Sequence, residues 1–112
     1  MTFPNDFWQK YSPEDLDRQY DARASVASFE AEYAQYVALS TIALTDPRRL
    51  PDLTYDPATG MGLDLYLAGP GTPLFLWIHG GYWRALSKAD NGFSALGLLE
   101  NGVSVAVMDY SL

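Results

Sequence analysis

The sequence predicts a mixed α/β fold from three observations. Apolar residues recur at helical spacing before residue 45, an alternating strand-like pattern follows, and then two apolar runs flank another helical pattern. Because a strand, a helix and a strand in succession usually form a parallel pair, we expect a parallel β-α-β unit after residue 73. The 112 residues are 48% hydrophobic and 19% charged, which excludes a wholly disordered chain.

Two helices are expected in the first 50 residues. Ser12-Pro13-Glu14-Asp15 is typical of a helix start, because serine caps free backbone N–H groups and proline suits the first helical position. This helix should run to about Tyr20, and a second one should end at Asp46-Pro47. One face of the second helix is predicted from apolar spacings of three, four and seven: Val26, Phe29, Tyr33, Tyr36, Val37 and Leu44.

An antiparallel hairpin at a sheet edge is predicted next. Residues 53–55 and 63–67 alternate apolar and polar side chains, and the DPATG segment at 56–60 is typical of a turn. We therefore assign residues 1–50 to an N-terminal helical segment and residues 51–112 to the start of a central sheet, within one partial domain.

The β-α-β unit is predicted from the remaining third of the chain. Leu74–Ile78 is apolar throughout, which suits a strand covered on both faces. Ser87-Lys88-Ala89-Asp90 is a capping signature that should open a helix closed by Asn101-Gly102. The apolar residues of that helix are Phe93, Leu96 and Leu99. The run 103–108 is strand-like, and as an unpaired edge it would promote association.

Composition narrows the classes of partner and cofactor. Seven basic against fourteen acidic residues give a formal charge of −7, so neither nucleic acid nor a membrane surface is an expected partner. The chain has no cysteine and one histidine, so we expect no metal and no cofactor. The first ten residues lack a basic leader and an apolar core, and a cytoplasmic location is therefore expected.

The segment with catalytic potential is His79-Gly80-Gly81-Tyr82-Trp83-Arg84, between the apolar strand and the following helix. Open α/β sheets bind ligands at the carboxyl ends of their strands. Paired glycines leave peptide N–H groups unobstructed, and each such donor contributes about 3 kcal/mol to stabilising an oxyanion. The competing interpretation is a tight strand-to-helix turn in which His79 is a hydrogen-bonded structural residue.

The motif in its context resembles a known group of enzymes. His79-Gly80-Gly81-Tyr82-Trp83 is similar to the H-G-G-x-W oxyanion motif of α/β-hydrolase esterases, and most similar to that of arylformamidases, also called kynurenine formamidases. Tyr11-Ser12-Pro13-Glu14 and Tyr20-Asp21-Ala22-Arg23 resemble their N-terminal helix. The segment 105–110 with Leu112 resembles their next strand and its D-Y-x-L turn.

This resemblance runs from about Tyr11 to Leu112 and implies the N-terminal part of an α/β-hydrolase fold. That part comprises two N-terminal helices, an edge hairpin and a parallel β-α-β unit. The full-length enzyme would use Ser-His-Asp acyl transfer on a small carboxylic ester or an aryl formamide such as N-formylkynurenine. The sequence does not distinguish formamidase from esterase or lactonase activity.

The resemblance also implies a role for each residue of the motif. The backbone N–H groups of Gly81 and Tyr82 would form the oxyanion hole, and Gly80 would supply backbone freedom. His79 would support the loop and would not be the catalytic base, since the triad histidine of this fold comes later. Tyr82 and Trp83 would line the substrate pocket, with packing as the equally open role of Trp83.

The chain departs from the family pattern because it lacks a nucleophile. The G-x-S-x-G elbow is absent, and the nearest string, from Gly92 to Gly97, has no strand before it. Ser94 in that string should be an ordinary helix residue. We therefore expect the 112-residue chain alone to be inactive, although it carries the oxyanion loop.

Two other classes of function stay open at this stage. A nucleotide-binding module is one, although Tyr82 and Trp83 stand where a phosphate-binding loop has small residues. The other is a non-catalytic hydrolase relative that binds a partner, or itself, through an exposed sheet edge and its N-terminal aromatic residues. Those aromatic residues are Phe7, Trp8, Tyr11, Tyr33 and Tyr36.

Overall fold

The computed structural model describes Pro4 and residues 6–112. The described residues form two compact units, one up to Tyr33 and the other Ala34–Leu112. In the first unit, a 3₁₀ turn at Phe7–Lys10 precedes helix α1, Pro13–Tyr20. The Ser12 hydroxyl accepts a hydrogen bond from the Asp15 N–H at 3.1 Å, so the predicted helix start is confirmed.

Helix α2 spans Phe29–Leu44, and its buried side chains in the second unit are Ser40 and Ala43. The predicted apolar stripe is wrong in two respects, because Val26 precedes the helix and Tyr36 and Val37 are 45% and 40% exposed. Ser40 Oγ accepts a hydrogen bond from the Phe93 N–H at 3.1 Å. The small side chains of Ser40 and Ala43 allow α2 to come this close to Phe93. A search for regularly spaced large apolar residues does not detect small buried residues of this kind.

The described strands form one mixed sheet in the order β1-β2-β4-β3. The strands are β1, Arg49–Asp56; β2, Met61–Tyr66; β3, Leu74–Ile78; and β4, Ser104–Met108. β1 and β2 form the predicted antiparallel edge hairpin, and β3 and β4 are parallel. The α/β class and the predicted hairpin are therefore confirmed.

The spatial order of the last two strands corrects the sequence prediction. β4 is an interior strand, because β2 pairs with it on the side opposite β3, with Leu65 beside Ala106. The predicted unpaired edge at 103–108 is therefore wrong, and β3 is the edge strand on that side of the described sheet. Leu74, Leu76 and Ile78 are 61%, 50% and 62% exposed, so the expectation that β3 is covered on both faces is also wrong.

The helix between β3 and β4 begins later than predicted. Ser87 forms the capping box, but that box begins a short 3₁₀ turn, Lys88–Asp90, and helix α3 spans Phe93–Glu100. The buried Asn91 side chain donates to the Ser87 carbonyl at 2.8 Å and accepts from Trp77 Nε1 at 3.3 Å. Such side-chain bonds compete with helical ones, so the chain turns before the α-helix starts.

The hydrophobic core lies between one face of the sheet and helices α2 and α3. Its buried members are Ala43, Tyr66, Ala95, Leu99, Val105 and Val107. The opposite sheet face, here called the open face, is covered by no helix or strand of the second unit. Its apolar residues are Leu50, Leu53, Leu63, Leu65, Leu74, Leu76, Ile78, Ala106 and Met108. None of the described helices has the length and apolar character that crossing a bilayer requires.

Candidate functional site

The H-G-G-x-W segment follows β3 at the carboxyl end of the parallel strand pair. It borders an open cavity of about 560 Å³, to which the segment after β4 also contributes. The cavity is lined by Ile78, His79, Gly80, Tyr82, Trp83, Met108, Tyr110 and Ser111. The structure thus brings four of the five motif residues to one cavity at the strand ends, where α/β sheets bind ligands.

Gly81 does not line the cavity, but the loop conformation requires a glycine there. Its φ of +119° is a conformation that other residues rarely adopt, and a Cβ atom would collide with the Ala85 carbonyl oxygen. Tyr82 and Trp83 follow with φ values of +54° and +57°. Left-handed backbone at non-glycine residues is strained and is found preferentially at functional sites.

The Gly81 and Tyr82 N–H groups have no hydrogen-bond acceptor among the residues that the structure describes. The Gly81 carbonyl accepts a hydrogen bond from the Arg84 N–H at 3.0 Å. Because the C=O and N–H of a trans peptide point in opposite directions, this bond also fixes the direction of the Tyr82 N–H. The loop therefore holds two unpaired donors in a defined backbone.

His79 is 3% exposed and packs against the segment after β4. Its ring stacks on Tyr110 with centroids 4.2 Å apart, and its Nδ1 lies 2.7 Å from the Gly80 carbonyl oxygen. A carbonyl only accepts, so Nδ1 carries the proton of this hydrogen bond. His79 Nε2 is buried and has no partner within the described residues.

The two aromatic residues of the motif project from the loop. Tyr82 is 77% exposed and Trp83 is 69% exposed, and their rings meet edge to face at 5.7 Å. Trp83 thus forms part of the cavity wall and is not in the buried core of this chain.

Ser94 lies inside α3, as predicted. Its hydroxyl donates a hydrogen bond to the Asn91 carbonyl at 2.9 Å, and a 3₁₀ turn precedes its helix where an elbow would need a strand.

The aromatic residues of the interaction hypothesis fall in both units. Phe7 and Trp8 are 42% and 59% exposed and line a groove of about 310 Å³ in the first unit, together with Tyr11. Tyr36, in the second unit, stacks on Phe93 at 4.7 Å.

Sequence reasoning missed a buried charge cluster behind the loop. Asp64 has no exposed surface, and its carboxylate lies 2.8 Å from both Arg49 Nε and Lys88 Nζ. Burial alone would raise the pKa of Asp64. The hydrogen bonds from Lys88, the Asp52 N–H and Arg49 outweigh burial, and the pKa is below its ordinary value. Asp64 occupies a polar position of an alternating strand, so the pattern alone gives no sign of its burial.

The chain is similar to kynurenine formamidases. It is 32% identical to that of Danio rerio over 94% of the chain, and 28% identical to that of Salmo salar over the same share. It spans 39% of the length of each relative. No family model matches the chain.

A crystal structure supports the same assignment. A candidate thioesterase of Silicibacter sp. TM1040 superposes with a TM-score of 0.74 at 30% identity, covering 88% of this chain and 38% of its own. The resemblance predicted from the motif is therefore confirmed: this chain is similar to part of an arylformamidase-like hydrolase.

Proposed function

We propose that this chain supplies the oxyanion-binding part of a serine hydrolase that acts on aryl formamides, such as N-formylkynurenine, or on carboxylic esters. The observation that carries the proposal is the pair of unpaired N–H groups, Gly81 and Tyr82, in a strained loop at the carboxyl end of β3. A cytoplasmic location belongs to the same proposal, because the chain is acidic and has no cysteine.

The chemistry assigned to these residues is stabilisation of developing charge. When a serine oxygen attacks the substrate carbonyl carbon, the C=O electron pair moves onto the carbonyl oxygen. The N–H groups of Gly81 and Tyr82 would donate to that oxygen, each contributing about 3 kcal/mol to the transition state. Tyr82 and Trp83 would contact the aryl group from the cavity wall. The serine, the acid and the base would come from polypeptide beyond this sequence.

Benzoate tests the donor site in this chain, because it joins an aryl ring to an anionic oxygen. In a ¹⁵N-labelled sample, benzoate should move the Gly81 and Tyr82 amide protons downfield. Benzyl alcohol, which has the ring without the charge, should leave them nearly unchanged. Equal shifts with both ligands, or none with either, would contradict an oxyanion role.

A chimera tests the catalytic part of the proposal. This chain would replace the matched 39% of the Danio rerio kynurenine formamidase. A folded chimera should hydrolyse N-formylkynurenine or an aryl ester, and Gly81→Ala should abolish the turnover in a chimera that remains folded. A folded chimera that is inactive on both substrates would argue against the proposal.

The second candidate function, a non-catalytic interaction module, is favoured by the open face and the β3 edge. β3 carries five apolar residues and neither a charge nor a proline, which are the usual protections of an edge strand. The chain has a net charge of −7, but the apolar residues of the open face carry none of it. Two copies could therefore meet at that face with little local charge repulsion. The partner that we propose is a second copy of this chain.

A further inference from the structure

Tyr110 connects the segment after β4 to the loop after β3. Its hydroxyl lies 2.8 Å from the His79 carbonyl oxygen and 3.2 Å from the Gly80 carbonyl oxygen. Both carbonyls only accept, so the hydroxyl is the donor, and its single proton is shared between them with the His79 carbonyl oxygen the nearer of the two. The Tyr110 ring also stacks on the His79 ring, with 18° between their planes.

The Gly80 carbonyl is held from two sides. His79 Nδ1–H donates to it at 2.7 Å, and the Tyr110 hydroxyl lies within reach of the same oxygen. The Gly81 N–H belongs to the same peptide plane and points in the opposite direction. The contacts that hold the Gly80 carbonyl therefore also keep the Gly81 N–H turned away from hydrogen-bond acceptors in the described chain.

Without these contacts the two glycines would permit the peptide to rotate. Glycine adopts many backbone conformations at little cost, so a flip of the Gly80–Gly81 peptide meets no side-chain obstacle of its own. Such a flip would exchange the positions of the N–H and the carbonyl oxygen. An oxyanion would then face a partial negative charge where it needs a donor.

We propose that Tyr110 is a positioning residue of the oxyanion loop, whose hydroxyl keeps the His79 and Gly80 carbonyls turned so that the Gly81 N–H stays available. This inference rests on the proposed function, because that function is what assigns the Gly81 N–H to oxyanion binding. The hydroxyl acts through the loop backbone and has no contact with substrate in this role.

The test compares Tyr110→Phe with Tyr55→Phe in the 112-residue chain. Tyr55 is a matched control, since its hydroxyl also donates to a backbone carbonyl, that of Asp109, but not to the loop. Tyr110→Phe should shift or broaden the Gly80, Gly81 and Tyr82 amide resonances while the strand resonances persist. The imidazole nitrogens give a second signal without ambiguity, because His79 is the only histidine in the sequence.

Rescue separates a donor role from simple packing. 4-Aminophenylalanine at position 110 keeps an N–H donor in place of the hydroxyl and should restore the wild-type loop resonances. This variant also keeps the test decisive if Tyr110→Phe does not fold. The proposal is overturned if Tyr110→Phe leaves the loop resonances unchanged, if Tyr55→Phe alters them equally, or if the amino variant behaves like phenylalanine.

A benzoate titration of the same variants links the loop to binding. We expect Tyr110→Phe to weaken benzoate about fivefold, the effect of one ordinary hydrogen bond, and Tyr55→Phe to leave the affinity unchanged. Unaltered affinity in Tyr110→Phe would count against positioning for anion binding. If benzoate does not move the Gly81 amide of the wild-type chain, the proposed function fails, whereas the loop resonances of the variants still decide whether Tyr110 holds the loop.

Discussion

The Lys88 ammonium lies 2.8 Å from the Asp64 carboxylate, which has no exposed surface. The Lys88 backbone N–H also donates to the Asp109 carboxylate at 2.7 Å. One residue thus links the middle of β2 to the segment after β4. Because Lys88 follows the H-G-G-x-W loop by a few residues, this buried ion pair anchors the far end of that loop to the sheet.

Removing the buried charge should destabilise the chain strongly. Asp64→Asn leaves Arg49 without its carboxylate partner and leaves Lys88 with only the exposed carboxylate of Asp52, and we expect a loss of about 3–5 kcal/mol in the free energy of unfolding by urea. Glu100→Gln is the matched control, because its carboxylate is 72% exposed and pairs with Arg48 at the surface. A small effect of Asp64→Asn, comparable to that of Glu100→Gln, would contradict the role given to the cluster.

The same cluster should make stability depend on acid pH. The pKa of Asp64 in the folded chain lies below its ordinary value of 3.8, although burial opposes this, because Lys88, the Asp52 N–H and Arg49 donate to the carboxylate. The stability that ionised Asp64 contributes is therefore fully present above the pKa of the unfolded chain. It is lost as the pH falls through the pKa of the folded chain. The difference in urea midpoint between wild type and Asp64→Asn should shrink through the acid range. A difference that stays constant there would exclude ionised Asp64 as its source.

Gly81 should tolerate no side chain, in contrast to Gly97. Gly81→Ala places a Cβ against the Ala85 carbonyl at a left-handed φ, and we expect a cost of about 1–3 kcal/mol and loss of the benzoate response. Gly97→Ala lies in α3 with open space around its Cβ and should stabilise the chain by about 0.5–1 kcal/mol. Thermal unfolding and amide spectra of both variants measure these effects, and equal tolerance at the two positions would refute the steric argument.

Self-association should depend on the β3 edge and the open face. Sedimentation equilibrium should show a concentration-dependent dimer for the wild-type chain and a monomer for Leu76→Lys, because a charge disfavours burial of that face. Ile42→Lys changes a 58% exposed residue of α2 and should leave the dimer intact. A wild-type chain that is monomeric at all concentrations would rule out the second candidate function.

The chain alone should not hydrolyse aryl esters or N-formylkynurenine. Ser94, the serine nearest to a nucleophile pattern, donates its hydroxyl to the Asn91 carbonyl within α3. Steady-state assays of wild type and Ser94→Ala should both give the uncatalysed rate. Turnover by the wild type that Ser94→Ala abolishes would overturn the proposal that the nucleophile lies outside these 112 residues.

Local patterns predicted the elements well but not the faces that they bury. The alternation in β2 predicts a strand, yet Asp64 and Tyr66 lie on the covered face, while Leu63 and Leu65 lie on the open one. An alternating pattern shows only that successive side chains lie on opposite faces of the strand. The packing of other elements against the sheet decides which face is buried. Arg49 and Lys88, which make the burial of Asp64 tolerable, are distant in sequence.

The candidate site also has one part that the sequence predicts and another that it does not. The glycine pair was visible in the sequence because a short motif carries its own backbone requirement. Tyr110 was not assigned a role, because its contact with His79 joins the ends of two strands separated by α3. Strand order along a sheet is likewise a tertiary property, which is why the local pattern predicts β4 at the edge although it lies inside.

The interior place of β4 also imposes an order on folding. The β1–β2 hairpin is local and can close early, whereas β3 has β4 as its partner among the described strands. During synthesis, the apolar Leu74–Ile78 segment therefore has no native strand partner until Ser104–Met108 has emerged. Contacts between distant segments form slowly, so a nascent chain would expose this segment while the residues between β3 and β4 are being synthesised.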